Sequence, residues 1–235
     1  MEKLSEKGTK VRQMFDTIAP RYDLLNRLLS FGIDRRWRRI AVSTLSLPPG
    51  GRVLDVATGT GDVAIEIARQ YPDVSVTGID FSAEMIAIGR QKVASTPHAG
   101  RITLEVAPCE EIPFPDQTFD AATIAFGIRN VDDRLAGLSE ICRVLKRGGT
   151  LLVLEFSTPT SPLFNALYSW YFRTLLPRIG GLVSDFDAYR YLPESVSQFP
   201  PRTEFAGMMR EAGFAPVSFR DLTFGVVTLY TGMKP

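Results

Sequence analysis

The chain has 235 residues, enough for one large α/β domain with a substantial core or for two small domains. Its apolar content of 45% and net charge of +1 are typical of a globular protein and exclude wholesale disorder. The charge is uneven, because residues 1–52 hold 11 Lys and Arg against 5 Asp and Glu, whereas the remainder holds 16 against 21.

The first predicted elements are helices, over residues 11–47. Apolar side chains recur there at helical spacing, at Val11, Phe15, Ile18, Tyr22, Leu25 and Leu29. Pro20 should divide the run, Gly32 should end its second piece, and Asp34 can cap a third helix through about Leu45. On that third helix Ile33, Trp37, Ile40 and Thr44 share one face and the arginines mostly fall elsewhere.

From residue 48 onwards, strands and helices alternate. Strands are predicted over residues 52–57, 74–80, 102–108, 119–126 and 150–156. The first intervening helix should end at about Gln70. The second should run from a cap at Ser82 to residue 93, and the third should cover residues 132–149, where a glycine pair ends it. This alternation predicts a mostly parallel sheet with helices on both faces.

The C-terminal part departs from this alternation. Residues 160–213 are predicted to be a helical insertion, and residues 217–222 and 226–232 a strand hairpin that closes one edge of the sheet. We therefore expect a seven-stranded α/β fold, Rossmann-like, with residues 1–47 as a helical cover that belongs to the same domain as residues 48–235.

The few cysteine and histidine residues limit the metal sites, disulfides and catalytic mechanisms that we expect. The two cysteines, Cys109 and Cys142, lack paired spacing, so a disulfide framework or a zinc site is not expected. His98 is the single histidine and lies in a polar loop, which disfavours histidine catalysis. No apolar run approaches the roughly 20 residues of a membrane span, and the N-terminus lacks a signal-peptide core, so a cytoplasmic location is expected.

The segment VLDVATGTGD, residues 53–62, is the most informative. Gly59 and Gly61 lie between a strand and a helix, where backbone amides can approach a ligand. Residues 59–64 also fit the loose GxGxxA dinucleotide pattern, although that match alone is weak. A tight turn that binds no ligand is the alternative.

The carboxylates around the turn favour a cationic ligand. Asp55 precedes the turn and Asp62 follows it, so a pyrophosphate would be repelled. Asp80 ends the second strand, where an acid can hold both hydroxyls of a ribose. S-adenosylmethionine offers an ammonium, a sulfonium and a ribose without phosphate. Two alternatives stay open: Asp80 as a solvated strand end, and Asp55 as a cap of the turn's own amides, which is compatible with ligand binding.

Five segments carry a likeness to a known family: YDLLNRLLSFGIDRRWRR, AFGIRNVDD, RVLKRGGTLLVLEFS, LPRIGGLVSDFDAYRYLPESV and LTFGVVTLYTGMKP. The body resembles class I S-adenosylmethionine-dependent methyltransferases, and the whole chain resembles the ubiquinone/menaquinone biosynthesis C-methyltransferases. The resemblance implies that a ring carbon of a polyprenylated quinol is methylated, most simply demethylmenaquinol to menaquinol. It does not separate a naphthoquinol from a benzoquinol.

The glycine turn after the first strand and the family resemblance together predict the cofactor contacts. They are Asp55, Gly59, Thr60, Gly61, Asp80, Phe81, Pro108, Cys109 and Ala125. This sequence departs from the family's usual Asp or Asn followed by Ala at positions 108–109, and from its frequent Ser at position 125. Cys109 follows a proline, as in cytosine-C5 methylases, but it lies after the third strand rather than the fourth, so we do not expect a nucleophile there.

Arg129, Asn130 and Tyr22 are the expected catalytic residues. Methylation at carbon needs an ionised neighbouring hydroxyl, and the permanently charged Arg129 could stabilise that phenolate or order a deprotonating water. The alternative is a surface arginine that pairs with Asp132 or Asp133. Further candidates near the substrate are Asp23, Asp185, Asp187 and Tyr189.

Rival functions fit the sequence less well. A nicotinamide-dependent oxidoreductase is opposed by the carboxylates at the turn, and a nucleic-acid methylase would place Asn/Asp-Pro-Pro-aromatic after the fourth strand, where this chain has AFGIRN. A methyltransferase for another small lipophilic acceptor stays open. The aromatic segment 163–179 and the basic N-terminal helices leave open a transient contact with the inner face of a membrane, and a homodimer is also left open. No nucleic-acid partner is expected.

Overall fold

A computed structural model of the chain describes residues 5–159 and 186–235, apart from the side chains at positions 7, 29 and 186–190. The helices are α1 Glu6–Ile18, α2 Tyr22–Ser30, α3 Asp34–Val42, α4 Asp62–Gln70, α5 Ala83–Ala94, α6 Arg134–Val144, α7 Phe186–Ser197 and α8 Arg202–Glu211. The strands are β1 Arg52–Val56, β2 Ser75–Asp80, β3 Ile102–Val106, β4 Phe119–Ala125, β5 Leu145–Phe156, β6 Val217–Leu222 and β7 Val227–Met233.

The strands form one seven-stranded sheet in the order β3-β2-β1-β4-β5-β7-β6. All neighbours are parallel except β7, which runs antiparallel to both β5 and β6. The predicted mostly parallel sheet with a C-terminal hairpin is therefore confirmed. The strand order reverses between β1 and β4, which is where open α/β sheets bind ligands, beyond the carboxyl ends of the strands.

Apolar side chains from alternate strand positions fill a core on each face of the sheet. Leu54, Ile79 and Tyr230 belong to one buried cluster, whereas Val53 and Leu229 belong to the other. Because both faces are covered, the strands are near-continuous apolar runs, as parallel strands require. None of the described helices is both long and apolar enough to cross a membrane.

The N-terminal helices follow the prediction in outline. Pro20 lies in a 3₁₀ turn between α1 and α2, and left-handed residues at Phe31 and Gly32 end α2, with the Gly32 amide bonded to the Arg27 carbonyl oxygen at 2.9 Å. Trp37 is buried as expected, and its Nε1 donates to Thr223 Oγ1 at 2.7 Å.

Three details of the third helix were predicted wrongly. Asp34 does not cap α3, because its carboxylate instead accepts from Ser30 Oγ at 2.7 Å and Arg38 Nη1 at 2.6 Å. Arg38 is buried rather than on the outer face, since it has two carboxylate partners inside. Ile33 is exposed, because it precedes the first turn of the helix instead of lying on its packed face.

The glycine pair at positions 148–149 does not stop α6. The helix ends at Val144, and β5 begins at Leu145, five residues before the predicted start at residue 150. Leu145 already pairs with Phe119, and the register shifts before the next pairs form. Strand pairing, not glycine, therefore sets this boundary.

Candidate active site

The segment between β1 and α4 is a tight turn that depends on glycine. Gly59 and Gly61 have φ angles of 55° and 83°, in the left-handed region that side chains disfavour. The Gly61 amide donates to the Thr58 carbonyl oxygen at 2.9 Å. Ala57 is also left-handed, and a Cβ on Gly127 would lie 2.5 Å from the Ala57 Cβ. The loops after β1 and β4 therefore approach each other as closely as their backbones allow.

Asp55 holds this turn from the end of β1. Its buried carboxylate accepts from Thr58 Oγ1 at 2.5 Å and from Thr123 Oγ1 at 2.6 Å. Burial raises the pKa of Asp55 to about 6, although these hydroxyls and the Ala64 amide favour the ionised form. Asp55 thus holds the turn through hydroxyls and the Ala64 amide of α4 rather than by capping the turn's own amides, and a ligand contact from it stays a prediction.

Asp80 joins the same turn from the neighbouring strand. Its Oδ2 accepts from the Gly59 amide at 2.8 Å, and its Oδ1 accepts from the Ser82 amide at 2.9 Å. Burial raises the pKa of Asp80 to about 6; the two amides lower it, and the charge of Asp16 raises it further. Asp16, on α1, also accepts from Ser82 Oγ at 2.6 Å. Asp80 is therefore a buried, oriented carboxylate rather than a solvated strand end.

A cavity of about 690 Å³ lies beside these groups, at the carboxyl ends of the strands, and we call it the inner cavity. The residues that line it include eight of the twelve predicted site residues: Tyr22, Gly59, Asp80, Phe81, Pro108, Cys109, Ala125 and Asn130. These positions are scattered through the sequence from α2 to the loop after β4. The fold therefore brings most of the predicted site together.

Four predicted site residues lie elsewhere. Asp55 and Thr60 line a smaller adjoining cavity of about 350 Å³. Gly61 precedes α4, where an added Cβ would meet the Leu104 side chain at 3.5 Å. Arg129 lines a second large cavity, described below. Contacts from Asp55, Thr60 and Gly61 to a ligand stay predictions.

The charged residues that line the inner cavity are all acidic: Asp80, Glu110 and Asp132. Among the described residues, its wall includes no lysine, arginine or histidine. A pyrophosphate would meet only repulsion here, whereas a ligand that carries a sulfonium and an ammonium would be attracted. The lining therefore suits a cationic ligand.

Asp62 does not contribute to that field in the way the sequence suggested. Its carboxylate pairs with Arg38 Nη1 at 2.9 Å and with Lys92 Nζ. Burial alone would raise the pKa of Asp62, but the charges of Arg38 and Lys92 outweigh it and hold the pKa below its ordinary value. Arg38 and Lys92 also pair with Asp34 and Asp23, and Asp62 does not line the inner cavity, so its expected repulsion of a pyrophosphate stays a prediction.

Thr60 helps to fasten the N-terminal cover. Its Oγ1 donates to Asp23 Oδ1 at 2.7 Å and accepts from Lys92 Nζ at 3.2 Å, while Lys92 Nζ also bonds Asp23 Oδ2 at 2.5 Å. At the far end of α1, Ser5 Oγ donates to Asp132 Oδ2 at 2.6 Å. The cover is thus tied to the loops that surround the inner cavity.

Arg129 is a buried cation rather than a surface arginine. Its side chain is 7% exposed, and Nη1 pairs with Glu155 Oε1 at 2.8 Å and bonds the Phe126 carbonyl oxygen at 2.5 Å. Its guanidinium lies 5.5 Å from the centre of the Phe156 ring. Its Nε is buried without a hydrogen-bond partner. The alternative that it pairs with Asp132 or Asp133 is wrong, because Glu155 takes that role.

Arg129 lines a second cavity of about 800 Å³, which we call the outer cavity. Most of its wall is apolar: Met14, Phe15, Ile18, Tyr22, Leu25, Phe126, Phe156 and Leu192. Three rings, those of Phe15, Tyr22 and Phe126, line both large cavities. The two chambers are therefore neighbours that share an aromatic wall.

Asn130 and Tyr22 lie at this boundary. The Asn130 Oδ1 accepts from Tyr191 Oη at 2.8 Å, which links the loop after β4 to α7. Tyr22 lines all three cavities. Burial raises the pKa of the Tyr22 phenol, although its bond with Asn26 and the charge of Arg129 act in the opposite direction. Tyr22 is therefore neutral near pH 7.

The profile of the ubiE/COQ5 methyltransferase family matches residues 2–234. The chain belongs to this family. It is 63% identical, over all of its length and 92% of the relative's, to the ubiquinone/menaquinone biosynthesis C-methyltransferase UbiE of Geobacter sulfurreducens. It is 49% identical, over 97% of its length and 94% of the relative's, to the demethylmenaquinone methyltransferase of Deinococcus radiodurans. The protein is therefore a methyltransferase, and the rival oxidoreductase interpretation is set aside.

Solved structures agree on the fold. A possible histamine N-methyltransferase of Thermotoga maritima superposes with a TM-score of 0.66 at 20% identity, over 96% of this chain and 100% of the other. The [4+2]-cyclase SpnF superposes with a TM-score of 0.73 at 19% identity, over 96% and 95%. At such identities the likeness shows the fold alone, as the cyclase illustrates.

Cys109 and Ala125 are two positions at which this sequence departs from the usual family residues, and the structure shows what surrounds each of them. Cys109 is packed, since a Cβ on Gly137 would lie 2.7 Å from its sulfur. Burial raises the pKa of the Cys109 thiol well above its ordinary range, and the charges of Glu110 and Glu140 raise it further. It is therefore a protonated, inert thiol, as the sequence suggested. Ala125 lines the inner cavity without a polar side chain.

Sequence reasoning missed several residues of this site. Glu155 gave one signal, a single acid within the apolar run LLVLEF. Tyr191 and Lys92 gave none, because each acts on a residue 30 or more positions away, and Arg38 showed only its i, i+4 spacing from Asp34 and not its pairing with Asp62. Asp185 and the segment 163–179 lie outside the described residues, as do the side chains of Asp187 and Tyr189, so their predicted roles stay predictions.

Proposed function

We propose that this enzyme transfers the methyl group of S-adenosylmethionine to a ring carbon of a polyprenylated quinol, with demethylmenaquinol as the acceptor. The observation that carries the proposal is the buried Arg129, with a partnerless Nε, in an apolar chamber beside an acid-lined one. The names of the relatives from Geobacter sulfurreducens and Deinococcus radiodurans support the same substrate class.

The inner cavity fits the cofactor by its chemistry. Asp80 is oriented by two backbone amides and could accept from ribose hydroxyls, while the acidic lining favours the positive end of the molecule. Pro108 and Cys109 offer only backbone groups for an adenine amine, since neither side chain is a strong acceptor. When bound, S-adenosylmethionine supplies an electrophilic methyl group on a sulfonium.

The outer cavity fits the acceptor. A quinol carbon becomes nucleophilic when the neighbouring hydroxyl ionises, and the phenolate needs a cation in a dry site. Arg129 provides that charge, held in place by Glu155. A guanidinium does not lose its proton, so Arg129 orders a water that accepts the hydroxyl proton rather than acting as the base. Tyr22 and Asn130 position the ring at the shared wall.

Two finer expectations belong to this proposal. The lipid acceptor implies a transient contact with the inner face of a membrane, and a homodimer is compatible with the fold. Neither is needed for the transfer step itself. A methyltransferase for another small lipophilic acceptor would use the same two chambers, so substrate choice must be measured.

The test is transfer of a radiolabelled methyl group from S-adenosylmethionine to demethylmenaquinol, beside the demethylated benzoquinol analogue and a bulk RNA. We expect label on demethylmenaquinol. Label on the benzoquinol alone would identify the benzoquinol as the acceptor and assign the enzyme to ubiquinone synthesis. Label on RNA alone would overturn the proposal. Arg129→Ala should abolish transfer while S-adenosylhomocysteine still binds.

A further inference from the structure

Three polar side chains from α2 and α3 line the outer cavity, whose wall is otherwise mostly apolar: Ser30, Asp34 and Arg38. We call them the polar triplet. The transfer step as proposed above uses none of them. Asp34 and Arg38 are only 4% and 7% exposed, and they form a buried ion pair at 2.6 Å. Because apolar residues of similar volume often replace a buried ion pair without loss of stability, stability alone does not account for this one.

Asp34 orients the other two members of the polar triplet. Its Oδ1 accepts from Ser30 Oγ at 2.7 Å, and its Oδ2 accepts from Arg38 Nη1 at 2.6 Å. Since the Ser30 proton is committed to Asp34, the Ser30 oxygen presents its lone pairs. Both carboxylate contacts of Arg38, to Asp34 and Asp62, use Nη1, and its Nε and Nη2 have no hydrogen-bond partner among the described residues. The triplet therefore offers an oriented acceptor beside free donors.

The outer cavity holds a second buried cation on the same aromatic wall. The Arg38 guanidinium lies 6.0 Å from the centre of the Phe126 ring, and the Arg129 guanidinium lies 5.5 Å from the centre of the Phe156 ring. The two rings are 4.6 Å apart, and both line the outer cavity. Polar groups at two places on this wall suit a ring that carries two polar substituents.

A quinol has two hydroxyls on opposite sides of its ring, and they play different parts in methylation at carbon. An ionised hydroxyl places negative charge at the ring positions ortho and para to it. The accepting carbon is ortho to one hydroxyl, which we call proximal, and meta to the other, which we call distal. Only ionisation of the proximal hydroxyl activates that carbon, so the distal hydroxyl should stay neutral.

We propose that the polar triplet binds the distal hydroxyl of the quinol and keeps it neutral. Arg38 donates to the oxygen of this hydroxyl, and the Ser30 oxygen accepts its proton in a hydrogen bond. A phenolate only accepts, so it would meet the lone pairs of Ser30 unfavourably. The proximal hydroxyl then faces Arg129. The inference rests on the proposed function for the identity of the acceptor, and it makes the triplet the determinant of which hydroxyl ionises.

The cofactor is the other candidate partner of Arg38, which also lines the small cavity of about 350 Å³. A carboxylate of the cofactor would fit there less well, because Asp55 and Asp62 line the same cavity and carry the same charge. Ser30 and Asp34 line the outer cavity and not the small one. As a unit, the triplet therefore belongs to the chamber of the acceptor.

The test compares two acceptors that carry the same short prenyl chain. One is demethylmenaquinol, and the other is the naphthol that keeps the proximal hydroxyl and lacks the distal one. Their kcat/KM values differ partly through the reactivity of the rings, but the ratio of the two values can be compared between enzymes because that difference cancels. We expect Arg38→Met to lower this ratio about 10- to 100-fold and Ser30→Ala to lower it about 2- to 10-fold.

Both variants should act on the diol alone. Transfer to the naphthol should stay near its wild-type value, and calorimetry should show unchanged binding of S-adenosylhomocysteine. Thermal unfolding checks that each variant is folded. If Arg38→Met does not fold, Ser30→Ala still tests the proposal, because it keeps the ion pair between Asp34 and Arg38.

A matched control is Arg143→Met. Arg143 also pairs with two carboxylates, those of Asp116 and Glu140, and it lines none of the three cavities described above. The control should leave the ratio unchanged. The proposal is overturned if the folded triplet variants lower transfer to both acceptors by the same factor, or if the control changes the ratio as much. It is also overturned if Arg38→Met weakens S-adenosylhomocysteine binding as much as it lowers transfer.

Equilibrium binding separates this proposal from the proposed function. Menaquinol and its counterpart without the distal hydroxyl are titrated into the enzyme with S-adenosylhomocysteine. Transfer to demethylmenaquinol with the same ratio in all folded variants would leave the function standing and remove the subsite. Tighter binding of the diol, lost in Arg38→Met, without any transfer would remove the function and leave the subsite. If the wild type bound neither compound, the subsite would be refuted as well.

Discussion

The buried pair of Arg129 and Glu155 allows the sharpest test of the site. Their side chains are 7% and 0% exposed, and the two join Nη1 to Oε1 at 2.8 Å. Removing one partner leaves the other as an uncompensated buried charge, which costs about 3–5 kcal/mol. Glu155→Leu and Arg129→Met should each lower the free energy of unfolding by that order.

The remaining contacts place the loss at the lower end of this range. In Glu155→Leu, Arg129 keeps the Phe126 carbonyl oxygen and the Phe156 ring. In Arg129→Met, Glu155 keeps the Phe156 amide at 2.8 Å. We expect about 3 kcal/mol for each single variant. The double variant strands no charge, so it should lose less than either single one, with a favourable coupling of roughly 2–4 kcal/mol.

Urea unfolding followed by circular dichroism gives the free energy of unfolding of the wild type, the two single variants and the double variant. Methyl transfer to demethylmenaquinol is measured on the same four proteins. The double variant should recover stability but not turnover, because the cation that stabilises the phenolate is gone. Near-normal turnover of Arg129→Met with cofactor binding intact would refute its catalytic role. Strictly additive stability losses would refute the account of the pair.

Three further predictions concern Asp80, Gly127 and Lys92. Burial raises the pKa of Asp80 from its ordinary 3.8 to about 6, so the carboxylate becomes protonated as the pH falls through 6. Calorimetry should therefore show cofactor binding weakening up to about tenfold from pH 7 to pH 5. Asp80→Asn should remove this dependence of cofactor binding on pH. Gly127→Ala should lower the free energy of unfolding by about 1–3 kcal/mol, because the new Cβ would lie 2.5 Å from the Cβ of Ala57. The control Gly207→Ala should not destabilise the protein, because its new Cβ meets nothing within 4 Å. Lys92→Met should raise the KM for the acceptor several-fold, because it removes the ion pairs with Asp23 and Asp62 that hold the N-terminal cover. The control Arg69→Gln breaks the ion pair with Glu66 on α4 and should leave this KM unchanged in the same kinetic assay.

The fold was predictable because its signals are local. Apolar runs of strand length alternate with helical periodicity, and glycine marks the turn after β1. Ser82 was a correct cap, since its hydroxyl accepts from the Met85 amide at 3.1 Å. The same reasoning failed at the glycine pair 148–149, because the end of α6 is decided by pairing between Leu145 and Phe119, which a local pattern does not contain.

The site was predictable only in part, for a related reason. A carboxylate at a strand end is visible in the sequence, but its partners are not. Asp62 and Asp80 both looked like free acids beside the turn, yet Asp62 pairs with Arg38 and Lys92, 24 and 30 residues away, while Asp80 lines the inner cavity. Which acid stays available depends on tertiary pairing.

The structure separates two incompatible electrostatic needs. A sulfonium requires an acidic environment and a phenolate requires a cation, so one shared pocket would stabilise neither. The acids Asp80, Glu110 and Asp132 line the inner cavity, while the outer one is lined by Arg129, which Glu155 anchors, and by the ion pair of Asp34 and Arg38. The wall between them includes Phe126, held in a left-handed conformation at φ 58° by its amide bond to β5. Because Phe126 lines both cavities, we expect the reacting groups of the proposed cofactor and acceptor to meet at this shared wall.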